Sequence, residues 1–517
     1  MDLSIRTADI ITVLIYLAGM LAVGFYFSKR NKTTEDYFVG GRSFSGWIIG
    51  LSMLGTIVSS ATFLALPAAA YVLDWRQLSV NLVVPFVAVL AIIVFIPFFR
   101  RGKLTSAFEY LGERYGMVPR MYGTVSFIMM QLIRMAQVLF LISLVIQFLT
   151  GAPIALVIVG TGLFIGIYTI MGGIEAVIWT DVVQAIILIV GGILCFTWMA
   201  IDLPDGIAQI FEVGKEHNKF SLGAMDFDLS ERTFYTVAIL GIINWLGIYA
   251  GDQNMVQRYA SARSTREARK ATVVYTAIAL PMWTLFFFIG TALFVYYLTF
   301  PNTVVAGLEA DQVLPYFVLS EIPPVISGVI ISAVIAAAMS TMDSGINALS
   351  TVGVIDLMKP WLAKDRPDSF YLRSAYYIAG TATLLVIMGA IVFSQIDKES
   401  MNDISLIVTS VFGGCLMGLF IMGFFTERID GFSATVALIL AVVFNIYLGL
   451  GLLGVLPQSW ILPVHSYWVG ALVNGLFIVV AYAIGLVRNK SDRNLQGLTV
   501  WTMKENQKEQ EWISDDP

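Results

Sequence analysis

The residues with the most chemical capacity in this chain are polar side chains set inside long apolar stretches. An ionisable group at mid-membrane depth costs several kcal/mol, so it needs a partner, a water-filled cavity or a function. One such stretch runs Gly55-Thr56-Ile57-Val58-Ser59-Ser60-Ala61-Thr62, with Pro67 beyond it. Glycine and small hydroxyl residues weaken a helix, and a discontinuous helix at the membrane midplane offers freed carbonyls and hydroxyls to ions and solutes. The same run also suits close helix packing. In a second stretch, Ala337, Ser340, Thr341 and Ser344 follow i, i+3, i+4, i+7 and so share one helix face, with Asp343 beside it. That face carries oxygens of the hard type that sodium prefers. Small-residue packing accounts for the hydroxyls but not for Asp343.

Two further charges stand in apolar surroundings. Asp181 lies about two turns into the helix that Gly172-Gly173 opens. It either is satisfied structurally near the cytoplasmic interface or completes an ion site with the 337–344 face. Arg134 sits mid-block within 121–149, with Gln131 and Gln137 one turn away on either side. It lies too deep to snorkel out. A buried pair with a carboxylate is one reading, and a bidentate clamp on an anionic substrate group is the other.

Enzyme chemistry is poorly supplied. Only two histidines occur, His217 and His465, and both fall at predicted external loops. The run Gly160-Thr161-Gly162-Leu163-Phe164-Ile165-Gly166 misses dinucleotide spacing by one and lies within an apolar helix. No GK[ST] phosphate loop is present, which disfavours an ATP-driven pump. Cys195 and Cys415 lie in apolar blocks, so neither a disulfide scaffold nor a cysteine metal site is expected.

The elements that must position these residues are membrane helices. Of 517 residues, 58% are hydrophobic and 13% charged, against roughly 25% charged in soluble proteins. Blocks of about 20 apolar residues, enough to cross the hydrocarbon core, recur from Ile10 to Val487. Thirteen spans are expected, at 8–28, 44–71, 78–99, 121–149, 153–172, 176–201, 233–256, 271–299, 312–356, 371–395, 402–426, 431–452 and 465–487. The block at 312–356 is too long for one span and is expected to include a helical approach before Val325. The first apolar block is too long for a signal-peptide core and runs into Ser28-Lys29-Arg30, so it reads as a retained helix.

Basic residues concentrate in 29–43, 100–120, 257–270, 357–373 and the C-terminal tail, and include Arg114, Arg120 and Arg258. The loop 202–232 is acidic. The positive-inside bias places the first set in the cytoplasm, with the N-terminus outside and the C-terminus inside. The polar tail from Lys504 to Pro517 is expected to be disordered. No basic stripe suggests nucleic acid.

Several stretches in a fixed order carry a family likeness: Asp36 through Arg42, Ser59 through Phe63, Thr105 through Leu111, Gly172 through Gln184, Asp252 through Tyr259, and Ala338 through Asn347. Over nearly all of 8–487 the chain resembles the sodium:solute symporter family, and within it the bacterial sialic acid symporters, especially at Ile96–Arg100, Ile174–Asp181 and Phe294–Tyr297. The resemblance implies an all-α, leucine-transporter-type fold of two five-helix inverted repeats. Residues 1–43 would form an extra helix and a cytoplasmic loop, 44–201 the first repeat, and 202–232 an external loop. The second repeat would span 233–426, two C-terminal helices 427–487, and a cytoplasmic tail 488–517.

The resemblance further implies a first sodium site at Gly55, Val58, Ala337, Ser340 and Thr341. It implies a second at Asp181, Ser340, Asp343 and Ser344. Here the chain departs from its relatives, since the sialic acid branch usually has serine where Asp343 stands. The second carboxylate would strengthen cation binding, take a proton or enter a salt bridge. The solute carboxylate would meet Ser59, Ser60, Thr62 and Arg134. Gln77 and Asn81 occupy pocket positions where the branch carries an aromatic residue and a glutamine, and Ile57 replaces a threonine. The expectation is a sodium-coupled, inner-membrane symporter, working as a monomer, for a small and anionic solute such as sialic acid. A monocarboxylate, a vitamin carboxylate or a neutral sugar is the alternative solute, and proton coupling the alternative driving force.

Overall fold

The computed structural model describes residues 6–29, 32–101, 104–226, 233–396, 412–462, 468–488 and 494–502. Among them no strand occurs, and the single β-bridge joins Phe44 to Ala262. Among the described residues ten helices are long and apolar enough to cross a membrane, and eleven if one bent pair counts as a single span. An all-helical fold is what lipid demands, because a helix satisfies its backbone polar groups internally.

The helices run as follows. Helix α1 is Thr7–Ser28, α2 Thr34–Val39, α3 Gly46–Ile57 and α4 Ser60–Val72. The run Arg76–Arg100 is α5, Ala107–Arg114 α6, Met117–Thr150 α7 and Ile154–Asp202 α8. Helix α9 is Gly206–Glu216, α10 Phe234–Gly251, α11 Gln253–Ser261 and α12 Thr265–Thr299. Then come α13 (Ala310–Ser320), α14 (Ile326–Val352), α15 (Asp368–Phe393), α16 (Leu416–Phe425), α17 (Gly431–Leu452) and α18 (Val469–Val487).

Four interruptions shape the bundle. The block expected at 44–71 is two helices, α3 and α4, meeting at 58°. The chain leaves the helical region at Val58 (φ −82°, ψ 106°) and Ser59 (φ −103°, ψ 173°). Helix α8 has 49 residues, which at 1.5 Å per residue is far longer than the ~30 Å hydrocarbon core. It folds at Gly173 (φ 59°, ψ −162°), a conformation that costs a residue without Cβ little. The expected boundary between 153–172 and 176–201 falls at this glycine. The block at 312–356 resolves into α13 and α14, parted at Val325 (φ 75°). The helix expected at 233–256 stops at Gly251, because Asp252 turns and caps the separate α11.

Helix α14 is the centre of the bundle, with nearly all of its side chains buried. It packs most extensively on α8, and also on α1, α3, α4, α7 and α15. The outer surface carries large apolar side chains, among them Phe86, Ile93, Leu384 and Val443, as a lipid-facing shell requires. The expected helix at 402–426 is described only from Phe412 onward, and the tail from Lys504 lies outside the described residues.

Candidate functional site

The α3–α4 break frees backbone polar groups, and their new partners define the site. The Ser59 N–H turns to Thr62 Oγ1 (3.4 Å) rather than continuing the α3 ladder. The Gly55 carbonyl instead accepts from Ser340 Oγ of α14 (2.8 Å). Ser340 Oγ and Thr341 Oγ1 both lie near the Ala337 carbonyl (3.2 and 3.3 Å). Gly55, Ala337, Ser340 and Thr341 therefore assemble between the broken helix and α14. Val58, the fifth residue of the expected first ion site, is fully buried at the break itself. The close approach needs Gly55, since a Cβ there would stand 3.1 Å from the Asp181 carbonyl and 3.3 Å from Asp181 Oδ1. All four donor groups are neutral or carbonyl oxygens, the hard ligand type that suits a group 1 cation better than a soft metal.

The expected second ion site is partly assembled and partly occupied by another residue. Tyr168 O–H donates to Asp343 Oδ2 (2.9 Å), the Ser344 N–H to Asp343 Oδ1 (2.6 Å), and Thr180 Oγ1 lies 3.3 Å from Oδ2. Asp181 is paired with Arg258, Nη2 to Oδ2 at 2.6 Å, with both side chains essentially inaccessible. The same Nη2 donates to Ser344 Oγ (2.7 Å). Arg258 Nε donates to Ser52 Oγ (2.9 Å), whose own hydroxyl donates to Asp181 Oδ2 (2.6 Å). Asp181 Oδ1 is buried without a hydrogen-bond partner and lies on the Gly55 side. Asp181, Asp343 and Ser344 thus share one polar cluster, linked through Thr56 Oγ1, 3.0 Å from Ser344 Oγ.

Arg258 is what the sequence reading missed. The loop-charge pattern places it among the cytoplasmic basic residues, yet it is 1% exposed, on a nine-residue helix whose side chains are all buried. Arg114 of the same charge set is also buried, donating to the Gly423 and Thr426 carbonyls. Arg120 pairs with the buried Asp356 at 2.8 Å. The one available signal for Arg258 is its place inside the family-like stretch Asp252 through Tyr259.

Of the residues expected to meet the solute, Ser59, Ser60 and Thr62 stand at the start of α4. Ser59 and Ser60 are buried, and Ser60 Oγ has no hydrogen-bond partner. Arg134 is half-buried on α7, which packs against α4, and no hydrogen bond or ion pair joins it to another described residue. Among the described residues, the structural-pair reading of Arg134 therefore finds no carboxylate. Gln77 and Asn81, at the start of α5, are half-buried. A cavity of about 370 Å³ lies between α4, α7 and α13, lined by Leu64, Leu141, Leu144, Gln147, Asp311 and Gln312 among others. Its size falls within the usual range for small-molecule pockets.

A sodium/sialic acid symporter of Proteus mirabilis (strain HI4320) is 34% identical over 430 residues, covering 83% of this chain and 86% of that protein. One from Aliivibrio fischeri (strain ATCC 700601 / ES114) is 31% identical, covering 85% and 87%. The human sodium-coupled monocarboxylate transporter 1 is 30% identical, covering 87% and 75%. The solved substrate-bound, outward-open structure of a Na+-coupled sialic acid symporter superposes with a TM-score of 0.86 at 29% identity, covering 95% of this chain and 100% of that one. The nucleobase-cation symporter Mhp1, at 13% identity and a TM-score of 0.52, shares the fold. The sequence model of the sodium:solute symporter family matches residues 37–441, so the chain belongs to that family.

Proposed function

We propose that this protein imports sialic acid together with sodium by alternating access. The observation that carries the reading is the contact between the freed Gly55 carbonyl and Ser340 Oγ across the α3–α4 break. In this reading sodium binds among Gly55, Val58, Ala337, Ser340 and Thr341, and joins the broken helix to α14. That bridge favours the state open to the outside and orders Ser59, Ser60 and Thr62 for the solute. Arg134 receives the solute carboxylate, consistent with its lack of a partner among the described residues, and Gln77 and Asn81 face the remainder of the molecule. The cavity at Leu64 and Leu141 lies outward of Ser60 and Arg134 along α4 and α7, and serves as an approach. Sodium leaves inward down its gradient and draws the solute with it.

The finer architecture belongs to the same proposal. Thirteen spans follow if α8 counts as two, the α3–α4 pair as one, and 402–426 as one. Two inverted five-helix repeats at 44–201 and 233–426 would then flank the site, with the N-terminus outside and the C-terminus in the cytoplasm. The protein would act as a monomer in the inner membrane, with no nucleic-acid partner.

Transport into proteoliposomes is the test. Sialic acid should accumulate under an inward sodium gradient and should not do so under a proton gradient without sodium. Uptake that is unchanged when sodium is replaced by a proton gradient refutes sodium coupling. A monocarboxylate is the rival solute, favoured by the human relative and by the Arg134 clamp, which would hold any carboxylate. Counterflow with sialic acid, pyruvate and glucose separates these, since Arg134 predicts that only the acids exchange.

A further inference from the structure

Helices α3 and α12 start side by side and meet along a seam built for close approach. A Cβ on Gly46 would stand 2.6 Å from the Glu267 carbonyl, and one on Gly50 would stand 2.8 Å from the Ala271 carbonyl. Glu267 closes the mouth of the seam: its carboxylate accepts from the Gly46 N–H and from Arg263 Nη2 (3.1 Å). The acid on this turn is therefore taken up by protein donors.

On the outer side of the seam the surface changes character along one stripe. From Thr265 to Pro281 the exposed positions of α12 are Arg266, Lys270, Val273, Ala277 and Pro281. Steps of four, three, four and four put all five on one helix face. The first two are cationic and the rest apolar, so the stripe passes from headgroup depth into the hydrocarbon. Beside it, on α3, Trp47 is 56% exposed, and Lys270 Nζ lies 5.5 Å from the centre of its ring. An amphipathic ring at the membrane surface and a cation over its face both belong at an interface. Among the described residues Lys270 makes no hydrogen bond or ion pair beyond this contact.

We propose that the outer side of the α3–α12 seam binds an anionic phospholipid of the cytoplasmic leaflet, with its phosphate between Arg266 and Lys270 and its acyl chain along Trp47, Val273 and Ala277. The charge complementarity selects the headgroup: the guanidinium offers a planar fork to phosphate oxygens and the ammonium a point charge. The apolar run below selects a ligand with a chain rather than a free anion. A zwitterionic lipid brings no net charge to the two cations and competes poorly. The site goes beyond the transport reading and uses none of its ion or solute residues. From that reading it borrows only the orientation of the chain.

Native mass spectrometry of the full-length protein, from mixed micelles of phosphatidylglycerol and phosphatidylcholine, tests the site. Wild-type protein should retain phosphatidylglycerol in preference to phosphatidylcholine. Arg266→Gln/Lys270→Gln should weaken that retention about thirtyfold, roughly fivefold for each cation near the surface. Its melting temperature in phosphatidylcholine alone should be unchanged, because both side chains are exposed. Should the double variant fold poorly, Lys270→Gln alone decides, with a loss of about fivefold. Lys364→Gln/Arg366→Gln removes the same charge from exposed positions between α14 and α15 and should keep the wild-type preference. An equal loss in both double variants would assign the effect to the charge of the whole face and overturn the site, as would a wild-type protein with no preference. Displacement of the lipid by glycerol phosphate at matched concentration would mark a soluble-anion site and overturn the lipid. Micelles present the probe to both faces, so a reversed orientation or sodium-independent uptake would count against the transport reading alone.

Discussion

In the proposed reading Arg134 meets the solute and the α14 hydroxyls meet sodium, and each assignment makes a separate prediction. A half-buried arginine with no partner among the described residues is costly to keep in a membrane helix unless something else meets it. Arg134→Ala should lower kcat/KM for sialic acid by on the order of a hundredfold, the cost of losing one side of a desolvated charge pair. Arg134→Lys should recover only part, because a point charge cannot make the bidentate contact. Initial-rate uptake in proteoliposomes checks both. Thr341→Ala removes one hydroxyl beside the Ala337 carbonyl. It should raise the sodium concentration for half-maximal uptake roughly tenfold, with maximal rate less affected. A sodium titration at saturating solute reads this directly.

Among elements, two junctions set whether the site can form. Helix α12 approaches the broken helix so closely that a Cβ on Gly290 would stand 2.2 Å from the Pro67 carbonyl of α4. Gly290→Val should therefore push α4 outward, at a cost of about 1–3 kcal/mol or more. The expected result is a lower melting temperature together with lost uptake, with Gly290→Ala intermediate. The second junction is the end of α16, where every last-turn carbonyl from Gly423 to Thr426 finds a donor. Arg114 serves Gly423 and Thr426, the Val500 N–H serves Phe424, and Trp501 Nε1 serves Phe425. Such carbonyls have no partner within the helix. Arg114→Met should leave two of them unserved and lower stability by roughly 2–5 kcal/mol, whereas Trp501→Phe, at an exposed site, should cost about 1 kcal/mol or less. Thermal unfolding in detergent distinguishes the two. The helices themselves were largely legible from apolar block length. Their breaks were legible only where glycine or proline marked them: Gly172-Gly173 gave away the fold in α8, while nothing in the sequence announced that Asp252 would end α10 and start α11.

For the whole molecule, loop charge predicts which ends face which compartment. Cys195 and Cys415 are both buried, so an introduced cysteine can be labelled against low background. Lys215→Cys, in the acidic loop after α8, should react with an impermeant maleimide on intact cells. Arg263→Cys, before α12, should react only after permeabilisation. The reverse pattern would overturn the orientation. The sequence by itself determined the membrane class, most of the helices, a stretch at 55–62 able to break its helix and the α14 oxygen face, because all of these follow from local composition and spacing. Tertiary structure alone decided what the charges do. Asp181 was open between a structural pair and an ion ligand, and it proves to share one carboxylate oxygen with Arg258 and keep the other free beside Gly55. Arg258 looked like a loop charge because positive residues near a predicted helix end are normally solvated. It is buried because α11 folds back under the bundle, 77 residues along the chain from the carboxylate it meets. Spacing along a chain carries local periodicity, whereas the pairing of distant charges is set by which helices pack side by side.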